Sequence, residues 1–389
     1  MTPKIFTRDF ILNFAAHFPF AFAVTLLIPT IPIYLSRSGA TDAEIGVLVG
    51  AFSVSSLVIR PVVGRGLLKI PERDFMIAGV LILGLSCIAY LFAKPFWPFL
   101  AVRAFQGIGF GLCVTATFTL VTRLSPDAHR GQSMGYFYLA INIPSALAPP
   151  LGILLLDRYG FSTLVFVCAG LSLCSLFITF KLGRTKRFTA EDPLTSDQPF
   201  LSREALPSSM VAFMTNFIWG TLGAFFPLFA LSHGVSNPGL FFTAIAITLI
   251  LGRGLGGKIL DLYAREKVIL PCVAAQVIAL AVLSFSTTLP MFLLVGVIWG
   301  MGTAFLFPSL MNYAFDFAGS SHGQVVGTFM AFSDLGISTG PAIMGMVLQW
   351  TNYRATFLSL VLVGLINLAY FQVALKKRMR SYPPDHSSS

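Results

Sequence analysis

Long apolar runs, separated by short polar stretches, make up most of this 389-residue chain. A helix of roughly 20 apolar residues is long enough to cross the hydrocarbon core of a bilayer. The pattern therefore predicts an all-α membrane protein. It predicts twelve spans, at about residues 10–34, 43–64, 75–93, 97–122, 132–156, 162–181, 207–231, 238–260, 268–286, 290–315, 324–348 and 355–375.

The composition agrees with a chain that has the lipid bilayer as its surroundings. It is 56% hydrophobic and 11% charged, whereas soluble domains carry about 25% charged residues. With the N-terminus inside, most of the 26 Lys and Arg residues fall in cytoplasmic loops, as the positive-inside rule requires. We therefore expect a multi-pass protein of the cell (inner) membrane with both termini cytoplasmic. Because these loops explain the net charge of +10, nucleic acid is not expected as a partner.

The longest polar interval, from about Lys181 to Ser209, divides the spans into six and six. Its charged residues and prolines keep it from packing as a membrane helix. We expect an N-terminal six-helix bundle over residues 1–181, a cytoplasmic linker over 182–206, a C-terminal six-helix bundle over 207–375 and a cytoplasmic tail over 376–389.

Three segments of the first six spans recur in the last six at nearly one spacing. The pairs are Arg60-x-x-x-Gly64-Arg65 with Arg253-x-x-x-Gly257-Lys258, Gln106-Gly107-x-Gly109 with Trp299-Gly300-x-Gly302, and Gly131-Gln132-x-x-Gly135 with Gly323-Gln324-x-x-Gly327. The repeat aligns Asp334 with Asn142 and Arg103 with Gly296. Repeated parallel six-span halves are an architecture of secondary transporters. The fold prediction becomes two pseudo-symmetric six-helix bundles.

These motifs resemble those of the major facilitator superfamily, over about Phe10 to Leu375. The two Arg-x-x-x-Gly-basic segments resemble its cytoplasmic loop motif and that motif's echo, and Arg103-x-x-Gln106-Gly107-x-Gly109 resembles its fourth-span motif. Gly340-Pro341 is similar to the antiporter motif, and Ala148-Pro149-Pro150 is a weaker match. Leu68 departs from the pattern, since the family usually has an aspartate at its position. The resemblance therefore implies that the gate contact of that aspartate is weakened here or is made by Asp261 of the second half.

The resemblance implies a gate and a central cavity. The implied gate residues are Arg60, Gly64, Arg65, Arg253, Gly257, Lys258 and Asp261. The positive-inside rule is the competing explanation for the basic members of this set, though not for Asp261. Spans one, four, seven and ten line the cavity in this family, which makes the candidates Phe18, Phe22, Gln106, Phe110, Asn216, Trp219, Trp299, Phe305 and Asn312. We expect fewer than half of them to touch substrate, because the chain is rich in Phe.

Arg103 is the charge in the fourth span that needs an explanation. At helical spacing, Arg103, Gln106, Gly107 and Phe110 share one face. A charge at membrane depth is costly and often marks a transport pathway. The alternative is a packing groove beside an arginine whose head snorkels toward the membrane surface. The small residues Gly107 and Gly111 predict a close approach by a neighbouring helix.

Asp334, Arg103 and His17 are the candidates for proton coupling. Asp334 lies within the eleventh span, where burial favours the protonated carboxyl. The alternative for Asp334 is an aspartate that only joins two helices, and Arg103 would tune that acid or hold an anionic substrate. His17 titrates in a suitable range, but a histidine among apolar residues is also a common hydrogen-bonded packing residue.

The sequence thus predicts a proton-coupled exporter of a small amphipathic or drug-like molecule, working as a monomer by alternating access. An uptake symporter or uniporter of the same fold is the alternative, and a membrane receptor or scaffold is a second class. An enzyme is not expected, because phosphate-binding, nucleophile-elbow and zinc-protease motifs are missing from the sequence. No metal, cofactor or disulfide is expected, because the five cysteines lie in predicted spans without ligand spacing.

Overall fold

The computed structural model describes residues 6–94, 96–126, 129–183, 202–203, 205–256, 263–315 and 322–381. Within these ranges the chain forms helices joined by turns, without β-strands. The predicted linker over 182–206 and the tail over 376–389 lie mostly outside the described residues. The helices of the first half are α1 Arg8–Arg37, α2 Asp42–Gly66, α3 Glu72–Ala89, α4 Trp97–Leu124 and the pair α5 and α6 in Arg130–Thr179.

The stretch Arg130–Thr179 is divided at Gly160 into α5 (130–159) and α6 (161–179). Gly160 has φ 81° and ψ 172°, which are not helical. Only glycine adopts such a conformation without strain. The helices of the second half are α7 Leu206–Ser232, α8 Gly239–Gly256, α9 Arg265–Leu283, α10 Leu289–Phe315, α11 His322–Trp350 and α12 Tyr353–Ser381.

Nine described helices are long and apolar enough to cross a membrane, when Gln132–Thr179 is counted as one. That stretch has 48 residues, which at 1.5 Å per residue is roughly 72 Å, more than twice the hydrocarbon thickness of a bilayer. The helix Gly239–Gly254 is apolar but shorter, and α3 begins with the charged residues Glu72, Arg73 and Asp74. The all-α membrane class is therefore confirmed, and the chain is a multi-pass membrane protein.

The first half, α1–α6, and the second half, α7–α12, make their most extensive contacts along two seams. In the α2–α11 seam, Gly46 and Gly50 of α2 face the carbonyl groups of Pro341 and Ser338, so closely that a Cβ atom at either glycine would clash. α2 begins at this end of the seam with a capping box, in which the backbone N–H of Thr41 donates to the Glu44 carboxylate over 2.8 Å.

In the α5–α8 seam, polar side chains from the start of α8 donate to carbonyl oxygens of α5. Thr243 Oγ1 donates to the Ala146 oxygen over 2.5 Å, and Asn237 Nδ2 donates to the Pro150 oxygen over 3.2 Å. These contacts and the glycine contacts of α2 lie toward the membrane side opposite to the start of α1. The halves are therefore closely packed on that side.

Candidate functional site

An ion pair crosses the α2–α11 seam. Arg60 Nη1 of α2 lies 2.6 Å from Asp334 Oδ2 of α11, and the two side chains are 25% and 17% exposed. Arg60 Nε and Asp334 Oδ2 are both buried without a well-aligned hydrogen bond from the described residues, so the contact is a charge pair. Arg60 is a predicted gate residue and Asp334 a predicted proton carrier. The structure brings these two predictions together in one contact between the halves.

The repeated arginine, Arg253, occupies the other seam with a different partner. Its guanidinium carbon lies 5.7 Å from the ring centre of Tyr138 on α5, and its Nε donates to the Ala304 oxygen over 3.4 Å. The two seams thus place equivalent arginines against the opposite half. One arginine faces a carboxylate and the other an aromatic ring, which no proton can neutralise near neutral pH.

Two more of the predicted gate residues, Gly64 and Arg65, lie on the exposed surface of α2. Gly64 is exposed and would have open space around a Cβ atom, and Arg65 is exposed near the end of α2. Gly257, Lys258 and Asp261 lie outside the described residues, so a latch through Asp261 remains a prediction.

Arg103 is buried in the first half, where its hydrogen-bond acceptors are neutral groups. It is 7% exposed, and its Nε donates to the Leu48 oxygen over 3.0 Å. Its Nη1 donates to Gln106 Oε1 over 2.8 Å, and the same oxygen accepts from the Tyr90 hydroxyl over 2.6 Å. The guanidinium carbon lies 4.8 Å from the centre of the Phe52 ring. These contacts tie α4 to α2 and α3.

The close approach predicted at Gly107 is present, and it explains how Arg103 reaches α2. A Cβ atom at Gly107 would clash with the Phe52 carbonyl of α2. Arg103 contacts α2 at Leu48, whereas Asp334 contacts it at Arg60, roughly 18 Å further along the helix axis at 1.5 Å per residue. The structure therefore does not bring Arg103 to Asp334, and Gln106 is 1% exposed within the Arg103 network.

His17 is buried in an aromatic cluster of the first half. It is 3% exposed, and its ring centre lies 5.5 Å from that of Phe20 and 5.3 Å from that of Phe137. Its Nδ1 has no hydrogen-bond partner among the described residues. His17 is thus enclosed by aromatic rings of its own helix and of α5.

A cavity of about 230 Å³ lies within the second half. It is bounded by α7, α8, α10 and α11. The lining residues are Thr215, Asn216, Trp219, Ile245, Leu249, Trp299, Thr303, Phe307 and Ile337. The rings of Trp219 and Trp299 lie 6.3 Å apart with an angle of 19° between their planes. Three of the predicted cavity residues, Asn216, Trp219 and Trp299, thus line one cavity.

The remaining predicted cavity residues lie elsewhere. Phe18 and Phe22 are partly buried on α1, with ring centres 6.1 Å apart. Phe110 packs its ring on that of Phe20 at 6.1 Å. Phe305 is 7% exposed and belongs to a core cluster of the second half, and Asn312 is partly buried.

A larger apolar groove of about 550 Å³ runs beside the ion pair, between α2, α4 and α11. Val54 and Val58 on its wall are 46% and 67% exposed, as expected of side chains that face lipid. Ser338 also lines it, and its hydroxyl donates to the Asp334 carbonyl oxygen over 2.6 Å.

Sequence reasoning missed a second buried ion pair at the start of α3. Glu72 is 0% exposed, and its Oε1 lies 2.6 Å from Arg123 Nη1 at the end of α4. The sequence did hold a signal, because Glu72 and Arg123 lie at helix ends on the same side of the membrane. Sequence reasoning also missed Tyr90 and Tyr138, the partners of Gln106 and Arg253. A tyrosine within an apolar run forms no spacing pattern that would predict its partner. The described residues hold no cluster of three or more potential metal ligands.

Comparison with known proteins decides the family. A sequence model described as Major Facilitator Superfamily matches residues 14–252 and 208–388. The chain belongs to this superfamily. The staphylopine export protein of Staphylococcus aureus is 26% identical over 352 residues, which cover 84% of this chain and 86% of that protein. Multidrug resistance protein MdtG of Escherichia coli is 23% identical over 399 residues, 97% of each chain.

Solved structures of the superfamily share the fold. The nucleoside transporter NupG superposes with a TM-score of 0.77 at 13% identity, covering 95% of this chain and 100% of that one. A bacterial homologue of the human lysosomal transporter Spinster superposes with a TM-score of 0.76 at 15% identity, covering 97% and 98%. The superfamily member described here is therefore a membrane transporter and not an enzyme, and its relatives include exporters.

Proposed function

We propose that this transporter is a proton-coupled exporter of small amphipathic molecules, and that the Arg60–Asp334 ion pair is its coupling element. The observation that carries the proposal is that the pair joins the two halves at membrane depth. A carboxylate is the one partner in this contact that a proton can neutralise. Protonation of Asp334 removes the attraction that holds α2 to α11.

Coupling arises because the protonation state of Asp334 changes the relative stability of two arrangements. In one arrangement α2 and α11 are in contact, and in the other the halves are separated there. With Asp334 ionised, separating the halves would leave two charges without partners in a poorly solvated setting, which costs several kcal/mol. With Asp334 protonated, that cost is largely removed and the separated arrangement becomes more populated. Because Asp334 is 17% exposed, water can deliver the proton to it.

Export is the direction that the relatives favour. The named relatives are an export protein and a multidrug resistance protein. The aromatic cavity in the second half and its sparse polar groups suit an amphipathic molecule better than a sugar, which needs many hydrogen bonds. An uptake symporter or uniporter is the alternative, since the helices do not encode direction. We further propose that both termini and the polar linker are cytoplasmic in the cell membrane, following the positive-inside rule.

The test is transport by purified protein in liposomes, with a pH gradient of either sign and a panel of amphipathic compounds. We expect substrate and protons to move in opposite directions, and Asp334→Asn to lower proton-driven flux by about tenfold or more, which corresponds to about 1.4 kcal/mol. The matched control is Asp157→Asn, which breaks the Arg37–Asp157 pair of 2.8 Å within the first half. Undiminished proton-driven flux in Asp334→Asn, or equal losses in both variants, would contradict the proposal.

A further inference from the structure

The size of the cavity between α7, α8, α10 and α11 limits what it can hold. At about 230 Å³ it is smaller than the roughly 300–1,000 Å³ of sites that enclose a drug-sized ligand. An engineered protein cavity of about 150 Å³ binds benzene. The cavity therefore has room for a fused two-ring system, which would be one part of a larger molecule.

The walls of the cavity favour a flat aromatic surface. The ring of Trp219, which is partly exposed, stacks on that of the buried Trp299 at 6.3 Å, and the side chains of Ile245, Leu249 and Phe307 complete an apolar lining. Aromatic rings prefer offset-stacked or edge-to-face neighbours at such distances, with a gain of about 0.5–1.5 kcal/mol per pair beyond the burial of area. A planar ring would meet these walls with more contact than a flexible chain.

The polar groups of the lining are neutral, and most of them already form hydrogen bonds within the protein. Thr303 Oγ1 donates to the Trp299 oxygen over 2.9 Å and accepts from Gln276 Nε2 over 3.2 Å. Asn216 Nδ2 donates to the Ala212 oxygen over 2.9 Å, and its Oδ1 accepts no hydrogen bond from the described residues. None of the lining side chains carries a charge. A charged ligand group would therefore enter this cavity without a counter-charge and at a desolvation cost, which attraction to a tryptophan ring would offset only in part and only for a cation.

We infer that this cavity binds an uncharged, planar aromatic ring system of the transported molecule, with Asn216 Oδ1 accepting a hydrogen bond from it. The inference rests on the transport function proposed above and names its substrate class. All lining residues belong to the second half, so the ring does not need the ion pair in order to bind. Asp334 does not line the cavity, although Ile337, one turn later on α11, does.

The tryptophans of the chain make a direct binding assay possible. Of the four, Trp97 and Trp350 are 75% and 85% exposed, so the double variant Trp97→Phe/Trp350→Phe leaves only Trp219 and Trp299, both in the cavity. The probe is quinolin-2-one, a neutral fused ring with an N–H donor. N-methylquinolinium and naphthalene-2-sulfonate carry similar rings with a positive and a negative charge, and n-octanol has an apolar chain and one hydroxyl group but no ring.

We expect quinolin-2-one to quench the remaining tryptophan emission in a saturable way, with equilibrium dialysis giving the same affinity. The two charged ring compounds and octanol should bind about tenfold or more weakly. Leu249→Phe, which fills the cavity, should weaken the binding of quinolin-2-one by a similar factor. Leu251→Phe is the control, because Leu251 lies on the same helix and is 55% exposed.

Three results would overturn the inference: no saturable binding of the neutral ring, equal binding by Leu249→Phe, or equally tight binding of a charged ring compound. If Leu249→Phe does not fold, the comparison of the four compounds on Trp97→Phe/Trp350→Phe still tests the inference. Asp334→Asn should bind quinolin-2-one within about threefold of the parent protein. Ring binding without any proton-driven transport would refute the proposed function alone, whereas proton-driven transport of other compounds without ring binding would refute this inference alone.

Discussion

Two arginines of the first half lie at membrane depth with different kinds of partner. Arg103 donates to a carbonyl oxygen of α2 and to the Gln106 side chain, groups that do not change charge in the physiological pH range. Arg60 contacts the carboxylate of Asp334, which does change charge on protonation. A proton can therefore release Arg60 from its partner, while Arg103 keeps its contacts in both states.

Arg103 is expected to stabilise the first half through the geometry of its guanidinium. A lysine would keep the charge but could not reach Leu48 and Gln106 together, because its three N–H donors all lie on one nitrogen atom. Hydrogen bonds to charged groups contribute about 1.5–3 kcal/mol each, so Arg103→Lys should lower stability by about 2 kcal/mol.

Thermal unfolding in detergent measures this effect as a fall in Tm of several degrees. The control is Arg158→Lys, because Arg158 is exposed at the end of α5, and its Tm should not change. A Tm for Arg103→Lys equal to that of the control would show that the network at Arg103 adds no stability.

Single residues differ in how far the sequence predicted their roles. Asp334 stood out because a carboxylate within an apolar run is costly, but its partner could not be predicted, since Arg60 lies on the other half. The partners of Arg103 include backbone carbonyls, which have no sequence signature. Trp219 and Trp299 line a cavity in the structure, whereas Phe305 packs in the core. In a chain with 38 phenylalanines, residue type does not say which rings face a cavity.

At the scale of elements, glycine contacts set how closely the halves approach. A Cβ atom at Gly50 of α2 would lie 2.5 Å from the Ser338 carbonyl oxygen of α11. Both atoms belong to rigid helix backbones, so neither can move aside without shifting a helix. The α2–α11 seam therefore requires glycine at this position.

Gly50→Ala should disturb the seam, because overpacking typically costs about 1–3 kcal/mol. We expect a lower Tm and slower transport than in the parent protein. Gly170→Ala is the control, since a Cβ atom at Gly170 on α6 would have open space and alanine favours the helix by about 1 kcal/mol. If Gly50→Ala keeps the parent's Tm and transport rate, the seam is more tolerant than its geometry indicates.

The elements were predicted more completely than their ends. The apolar runs located the helices, but the structure extends α12 to Ser381 and begins α3 at Glu72. Helices continue past the apolar core of a bilayer into its polar margins, so hydropathy marks the crossing and not the helix end. The seams were not predictable, because they depend on the packing of residues far apart in sequence.

For the whole molecule, the repeat indicates shared architecture and the differences between the halves indicate function. The equivalent arginines Arg60 and Arg253 both cross a seam, but among the described residues only Arg60 faces a group that protons can neutralise. The aromatic cavity is lined by residues of the second half. We expect binding and proton coupling to be separable, with α11 as the helix that takes part in both.

The most direct test of this account is the distance between α2 and α11 as a function of pH, measured by pulsed electron spin resonance. Spin labels on Val62→Cys and Met330→Cys, which replace residues that are 61% and 40% exposed, would report on the α2–α11 seam in a background without the native cysteines. The parent protein and Asp157→Asn should show a short distance at neutral pH and a growing population of longer distances as the pH falls. Asp334→Asn should show the longer distances at every pH. A distance distribution that does not change with pH in the parent protein would contradict the account, as would one that still changes with pH in Asp334→Asn.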